Sequence, residues 1–133
     1  MIIQNGIQVI KTGKIYLSNH VHDYQEIEVG FGQSVIIDGG CEYIKRGGNE
    51  DCQYYINNIS LDDELHSEEE IQQKLCWGTR GKNGKQPLEY KFIKDLTLDH
   101  LNAIIEYSKT NIINPLHLDA IKYWQEIKVE MLS

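Results

Sequence analysis

Two short stretches of this chain hold most of the side chains that can do chemistry. The first, NHVHDY, sets His20, His22 and Asp23 almost side by side. Alternate residues of a strand share a face, so both imidazoles can point the same way, as metal ligands must. A closed zinc site needs more protein ligands than that. The rest of the chain offers only isolated His66, His100 and His117 and the cysteines Cys41, Cys52 and Cys76, with no CxxC pair. The pattern is that of a polar turn or strand end, and no metal is expected.

The second stretch, IIDGGCEYIKRGGNEDCQYY at residues 36–55, joins two Gly-Gly pairs to an acid, an arginine and three tyrosines. Cys41 follows Gly39 and Gly40, with His22 and Asp23 upstream, which are the residue types of a Cys-His nucleophile. No nucleophile elbow or oxyanion loop accompanies them, and a small residue after a glycine pair commonly serves packing. DGG also lacks the lysine and the downstream Ser or Thr of a phosphate loop, and leads into a strand-like EYIKR. Catalysis is therefore not expected, nor is a cofactor.

What remains is a binding surface. Asp38, Gly39 and Gly40 let the backbone approach a ligand closely, Tyr43 and Arg46 follow on an expected strand, and WGTRGKNGK contributes Trp77, Thr79, Arg80 and Lys82. Trp, Tyr and Arg are the side chains that stack on bases and grip phosphates. The competing interpretation is a pair of ordinary hairpins with aromatic core neighbours.

The elements that must position these residues divide the chain in two. Up to about residue 56, Ile, Val and Tyr recur at short intervals between glycines, which predicts strands at 7–11, 14–17, 24–29, 34–38, 42–45 and 53–56. YQEIEVGFG alternates as a strand with one buried face should. HSEEEIQQKLCWG then predicts a helix over 67–78, with Ser67 and Glu70 as a capping box and Gly78 as its C-cap. An Asn-Gly turn leads to a further strand at 88–93. Thr97 caps the next helix, with Leu96 and Leu101 as a staple and Leu98, Leu101, Ile104 and Ile105 as its apolar stripe. Asn114 and Pro115 open the last helix, whose face carries Leu116, Ala120, Ile121, Trp124, Ile127 and Met131. Leu118 and Val129 broaden that face toward contact with a second copy. The expected fold is α+β, one domain over 1–133, with an N-terminal antiparallel sheet, a short middle helix and two C-terminal helices packed on the sheet.

Bulk properties narrow the function. The 133 residues are 41% hydrophobic and 25% charged, which suits a soluble folded domain. A formal charge of -7 repels a phosphate backbone, so duplex DNA is not an expected partner. The basic groups of YIKRGG and WGTRGKNGK still suffice for a small anion. No run is long enough to span a bilayer and the start lacks a secretory pattern, so a cytoplasmic protein with reduced cysteines is expected.

HDY…IIDGGCEYIKRGG resembles small phage-encoded proteins of unassigned function in which an HDF-like element precedes a VDGG-x-x-Y-x-R-R segment. WGTRGKNGKQPLEYKFIKDLTLDHLNAII is similar to the phage pattern WGT-x-GK-x-GKQPL-x-Y followed by a KDLS-x-x-HL-x-AIL helix. The two segments cover about half of the chain. Relatives in the first group carry cysteine pairs around the HDF element, as a zinc knuckle would, whereas YLSN and VGFG stand there in this chain. The expected architecture is also similar to that of phage Thoeris anti-defence proteins, oligomers that sequester cyclic ADP-ribose-type signals and in some members cyclic oligonucleotides. The resemblance implies a phage protein, in the host cytoplasm, that holds a nucleotide-like immune signal without cleaving it, in a pocket between protomers of a homo-oligomer. The alternatives are an acidic protein-binding inhibitor of a host effector such as a CRISPR nuclease, and a small phage nucleotide-metabolism enzyme.

Overall fold

Short β-branched runs separated by glycines become strands, and the two capped segments at the end become helices. The computed structural model describes residues 2–18, 24–30, 32–38, 44–45, 55–81 and 84–132. The fold is α+β, with antiparallel sheets and, among the described residues, three α-helices, the last two C-terminal. The chain clusters into two units, Met1–Ser67 and Glu68–Ser133.

The first unit is made of strands: β1 (Ile2–Gln4), β2 (Gly6–Val9), β3 (Ile15–Leu17), β4 (Tyr24–Gly30), β5 (Gln33–Asp38), β6 (Ile44–Lys45), β7 (Ile56–Asn58) and β8 (Leu61–Asp62). β2 lies between β3 and β7, with Ile7 opposite Tyr16 on one side and Asn58 on the other. β4, β5 and β6 form a meander in which Ile27 faces Val35 and Ile37 faces Ile44. β1 pairs with β8 across a register shift. In β4 the alternation puts Ile27 and Val29 inside and Glu26 and Glu28 outside. With Ile7, Val9, Val35, Ile37 and Ile56 they form one apolar cluster, against which Tyr16 and Tyr55 pack. Each such buried side chain contributes roughly 1.5–3 kcal/mol.

Several strand limits differ from the pattern in the sequence. The strand expected over 7–11 stops at Val9, because Gly13 at φ 74 donates to the Val9 carbonyl at 2.8 Å and closes a turn. Of the strand expected over 53–56, residues 53 and 54 lie outside the described residues; the described strand runs Ile56–Asn58, held by pairing with β2 although its asparagines are polar. β1 and β8 are too short to show any period. They are pinned by side chains: Gln4 Nε2 donates to the Ile59 carbonyl at 2.7 Å, and Ser60 Oγ accepts from the Gly6 amide at 3.1 Å.

The second unit holds α1 (Glu68–Lys74), β9 (Cys76–Thr79), β10 (Glu89–Phe92), a 3-10 turn at Ile93–Asp95, α2 (Leu98–Ser108) and α3 (Pro115–Leu132). α1 has the expected acidic first turn but ends at Lys74. The residues expected to continue it to Gly78 form a strand, because Cys76, Trp77, Gly78 and Thr79 pair with Phe92, Lys91, Tyr90 and Glu89. Gly78 is not a helix cap. A Cβ there would lie 3.1 Å from the Tyr90 ring, so glycine gives the opposite aromatic its room. The strand expected over 88–93 is β10, shorter by one residue at each end.

Both C-terminal caps stand where expected. Thr97 Oγ1 accepts from the His100 amide at 3.2 Å, and Asn114 Oδ1 accepts from the Leu116 amide at 2.9 Å with Pro115 in the first turn. α2 and α3 pack on each other, and Lys128 of α3 donates to the Leu96 carbonyl at the end of the 3-10 turn. Leu96, Leu101, Ile104, Ala120 and Ile121 are buried. Met131, expected on the buried face of α3, is 78% exposed. Among the described residues, no helix is long and apolar enough to cross a membrane.

Candidate ligand-binding site

The period of two in β9 decides which of its residues can meet a ligand. Cys76 is buried, while Trp77 and Thr79 point to the other face and are half-buried. The register sets Lys91 and Glu89 directly across from them, and directly opposed residues share a face. Trp77 is met by His117, from the first turn of α3, with ring centroids 6.2 Å apart and planes tilted by 59°. Two helical turns further along α3, Trp124 Nε1 donates to the backbone carbonyl of Gln72 in α1 at 3.0 Å. One face of α3 thus reaches both Trp77 and α1.

That neighbourhood carries an unusual polar feature. Among the described residues, Gln72 Oε1 and His117 Nδ1 are buried without a hydrogen-bond partner. Burial pushes the His117 pKa below the usual histidine value of 6.5, because the charged imidazolium loses its hydration there. His100 is lowered for the same reason, with the positive charge of Lys91 as a second cause.

Beyond Thr79 the chain turns through residues 80–88. Gly81 and Gly84 take φ of 78 and 69, a left-handed conformation that other residues adopt at a cost. Three bonds hold the described part of the loop. The Gly81 amide donates to Thr79 Oγ1 at 3.2 Å, the Gly84 amide to the Gly81 carbonyl at 3.1 Å, and the Gln86 amide to the Arg80 carbonyl at 2.9 Å. Arg80 and Lys85 are exposed and form no ion pair with described residues. The hairpin therefore offers an aromatic face at one end and exposed cations at the other.

No family model, curated protein or solved structure matches the chain.

Trp77 and Thr79 share a face of β9, and Arg80 follows the strand at its exposed end. The Thr79 hydroxyl already accepts from the Gly81 amide and keeps its O–H donor and a second lone pair. Asp38 ends β5 opposite Tyr24. Gly39, Gly40, Tyr43, Arg46 and Lys82 lie outside the described residues, as do His20, His22, Asp23, Cys41 and Cys52. Among the described residues, no three His, Cys, Asp or Glu side chains come together to hold a metal ion. Cys76 is buried, with its thiol directed at the Lys74 carbonyl at 3.4 Å.

Gln72 and Lys91 were not among the sequence candidates, and His117 was weighed only as an isolated histidine for a metal site. For His117 a signal existed: it stands four residues before Ile121 and seven before Trp124, on the apolar stripe of α3. Nothing local singles out Gln72 or Lys91, whose positions follow from packing and register.

Proposed function

We propose that the chain binds a small anionic, nucleotide-like ligand at the β9–β10 hairpin and holds it without cleaving it. The observation that carries this reading is the half-buried Trp77 followed, three residues on, by the exposed Arg80 at the start of a loop pre-shaped by Gly81 and Gly84. Stacking on an aromatic ring contributes about 1–3 kcal/mol per base. A hydrogen bond to a charged group contributes about 1.5–3 kcal/mol. The net charge of the chain does not prevent this, since exposed charges are screened beyond about 8 Å at physiological ionic strength, and the nearest cations decide.

The phage resemblance supplies the ligand class: a cyclic ADP-ribose isomer or a cyclic oligonucleotide, sequestered in the host cytoplasm as a means of anti-defence. A homo-oligomer fits the same reading, because a hairpin face alone leaves much of such a ligand exposed and a second protomer can close over it.

A thermal-shift screen over ADP-ribose, cyclic ADP-ribose isomers and cyclic oligonucleotides tests the proposal. A ligand at a hundredfold its dissociation constant adds about 2.7 kcal/mol of stability. Arg80→Ala should then weaken a confirmed ligand by about 1.5–3 kcal/mol in calorimetry with the melting temperature unchanged, since Arg80 is exposed and has no ion pair among the described residues. Unchanged affinity would place the site elsewhere. Recovery of the intact ligand after denaturation separates sequestration from catalysis.

A further inference from the structure

We infer that Lys91 and His100 grip the phosphate of the proposed ligand, on the face of the hairpin that carries the Trp77 ring on which its base stacks. The inference rests on the proposed nucleotide-like ligand and adds the cation that is in phase with the aromatic. Side chains alternate along β9, so Trp77 shares its face with Thr79, and Arg80 follows beyond the end of the strand. The register supplies a nearer cation. Lys91 stands directly opposite Trp77 on β10, and opposed residues of an antiparallel pair have Cβ atoms about 4.5–5.5 Å apart.

His100 comes to Lys91 from the first turn of α2. Burial first, and then the charge of Lys91, hold the His100 pKa below 6.5, so the two are close enough for the ammonium to act on the imidazole. Neither side chain has an ion pair or a hydrogen-bond partner among the described residues. Two groups that repel each other when both are charged, with no acid paired to either, form an arrangement that an anion relieves. A phosphate there accepts from the Lys91 ammonium and from a ring N–H of His100, which donates in the neutral as well as the charged form. Lys91 is exposed, and Trp77 and His100 are half-buried, so solvent reaches all three. Glu89 shares this face one pair nearer the loop, opposite Thr79, where its carboxylate can accept from a sugar hydroxyl.

Calorimetry with AMP and with adenosine, which has the base and sugar but no phosphate, tests the inference on the full chain. Wild type should prefer AMP. Lys91→Gln should reduce that preference about ten- to a hundredfold, the scale of a hydrogen bond to a charged group, and His100→Gln about three- to tenfold. Adenosine affinity should be unchanged in both, and Lys91→Arg, which keeps the charge, should retain most of the preference. The melting temperature of Lys91→Gln should match wild type, because the side chain is exposed. An unchanged AMP preference in either glutamine variant overturns the inference; if Arg80→Ala abolishes it instead, the hairpin reading stands without these two residues. Equal losses for AMP and adenosine, or equal affinity of wild type for the two probes, also overturn it, since neither leaves a phosphate contact to assign. No binding of either probe overturns the inference, and a silent thermal-shift screen beside it overturns the hairpin site as well.

Discussion

A Cβ on Gly6 would lie 2.4 Å from Leu17 Cδ2 and 2.6 Å from the carbonyl oxygen of Tyr16. The leucine tip can rotate away, but the carbonyl belongs to the strand that pairs with Gly6 and cannot retreat without opening the ladder. Gly6→Ala should therefore cost about 1–3 kcal/mol, read as a lower urea midpoint with the slope unchanged. A wild-type midpoint would show that β2 and β3 have room to spare. His117 carries a different expectation, in pH. Its folded pKa is lowered by burial, and that of His100 by burial and then Lys91, while both return to about 6.5 when the chain unfolds. Between the folded and unfolded values the unfolded chain binds more protons, so stability is complete above about 6.5 and declines as pH falls through that value toward the folded ones. Melting temperatures followed from pH 7.5 to 5 should fall in wild type and fall less in His117→Leu. Parallel curves for the two proteins would show that His117 does not carry the pH dependence.

Among the elements, α2 shows what a single side chain does for a helix of modest length. Thr97 satisfies the His100 amide, one of the donors that has no partner inside the helix. Thr97→Ala should cost about 1 kcal/mol in chemical denaturation and Thr97→Ser should recover most of it, since the hydroxyl and not the methyl makes the bond. Equal losses in both variants would point to packing instead. The two caps were legible in the sequence because a cap and the amide it satisfies are two or three residues apart. The end of α1 was not. Gly78 has the right neighbours for a helix stop, and only its pairing with Tyr90, across the loop of residues 80–88, turns 76–79 into a strand. That choice bears on the proposed site, because a strand presents Trp77 and Thr79 on one face.

At the scale of the molecule, the end of α3 bears apolar surface that the described residues leave uncovered: Val129 at 44%, Met131 at 78% and Leu132 at 77% exposure. The homo-oligomer proposed above would use this surface. Light scattering at tens of micromolar should give a mass above the 15.4 kDa of one chain, and Met131→Glu with Leu132→Glu should reduce it to that value. A monomeric wild type would remove the interprotomer pocket from the proposal and leave the hairpin site on its own.

The alternation in YQEIEVGFG, the glycines of the first half and the capped helices of the second are local properties, and from them alone follows the α+β class; the adjacency of Trp77, Thr79 and Arg80 is likewise local, and it is what puts them forward as candidates. The contacts that surround Trp77 are not local. Lys91 faces it through a hairpin register, and His117 reaches it from a helix that begins 38 residues later (115 minus 77). Helical period places His117 on the same stripe as Trp124, but the stripe does not name what it packs against. That is decided by which arrangement buries the most apolar surface while pairing the most backbone, a balance over the whole unit that no window of sequence contains.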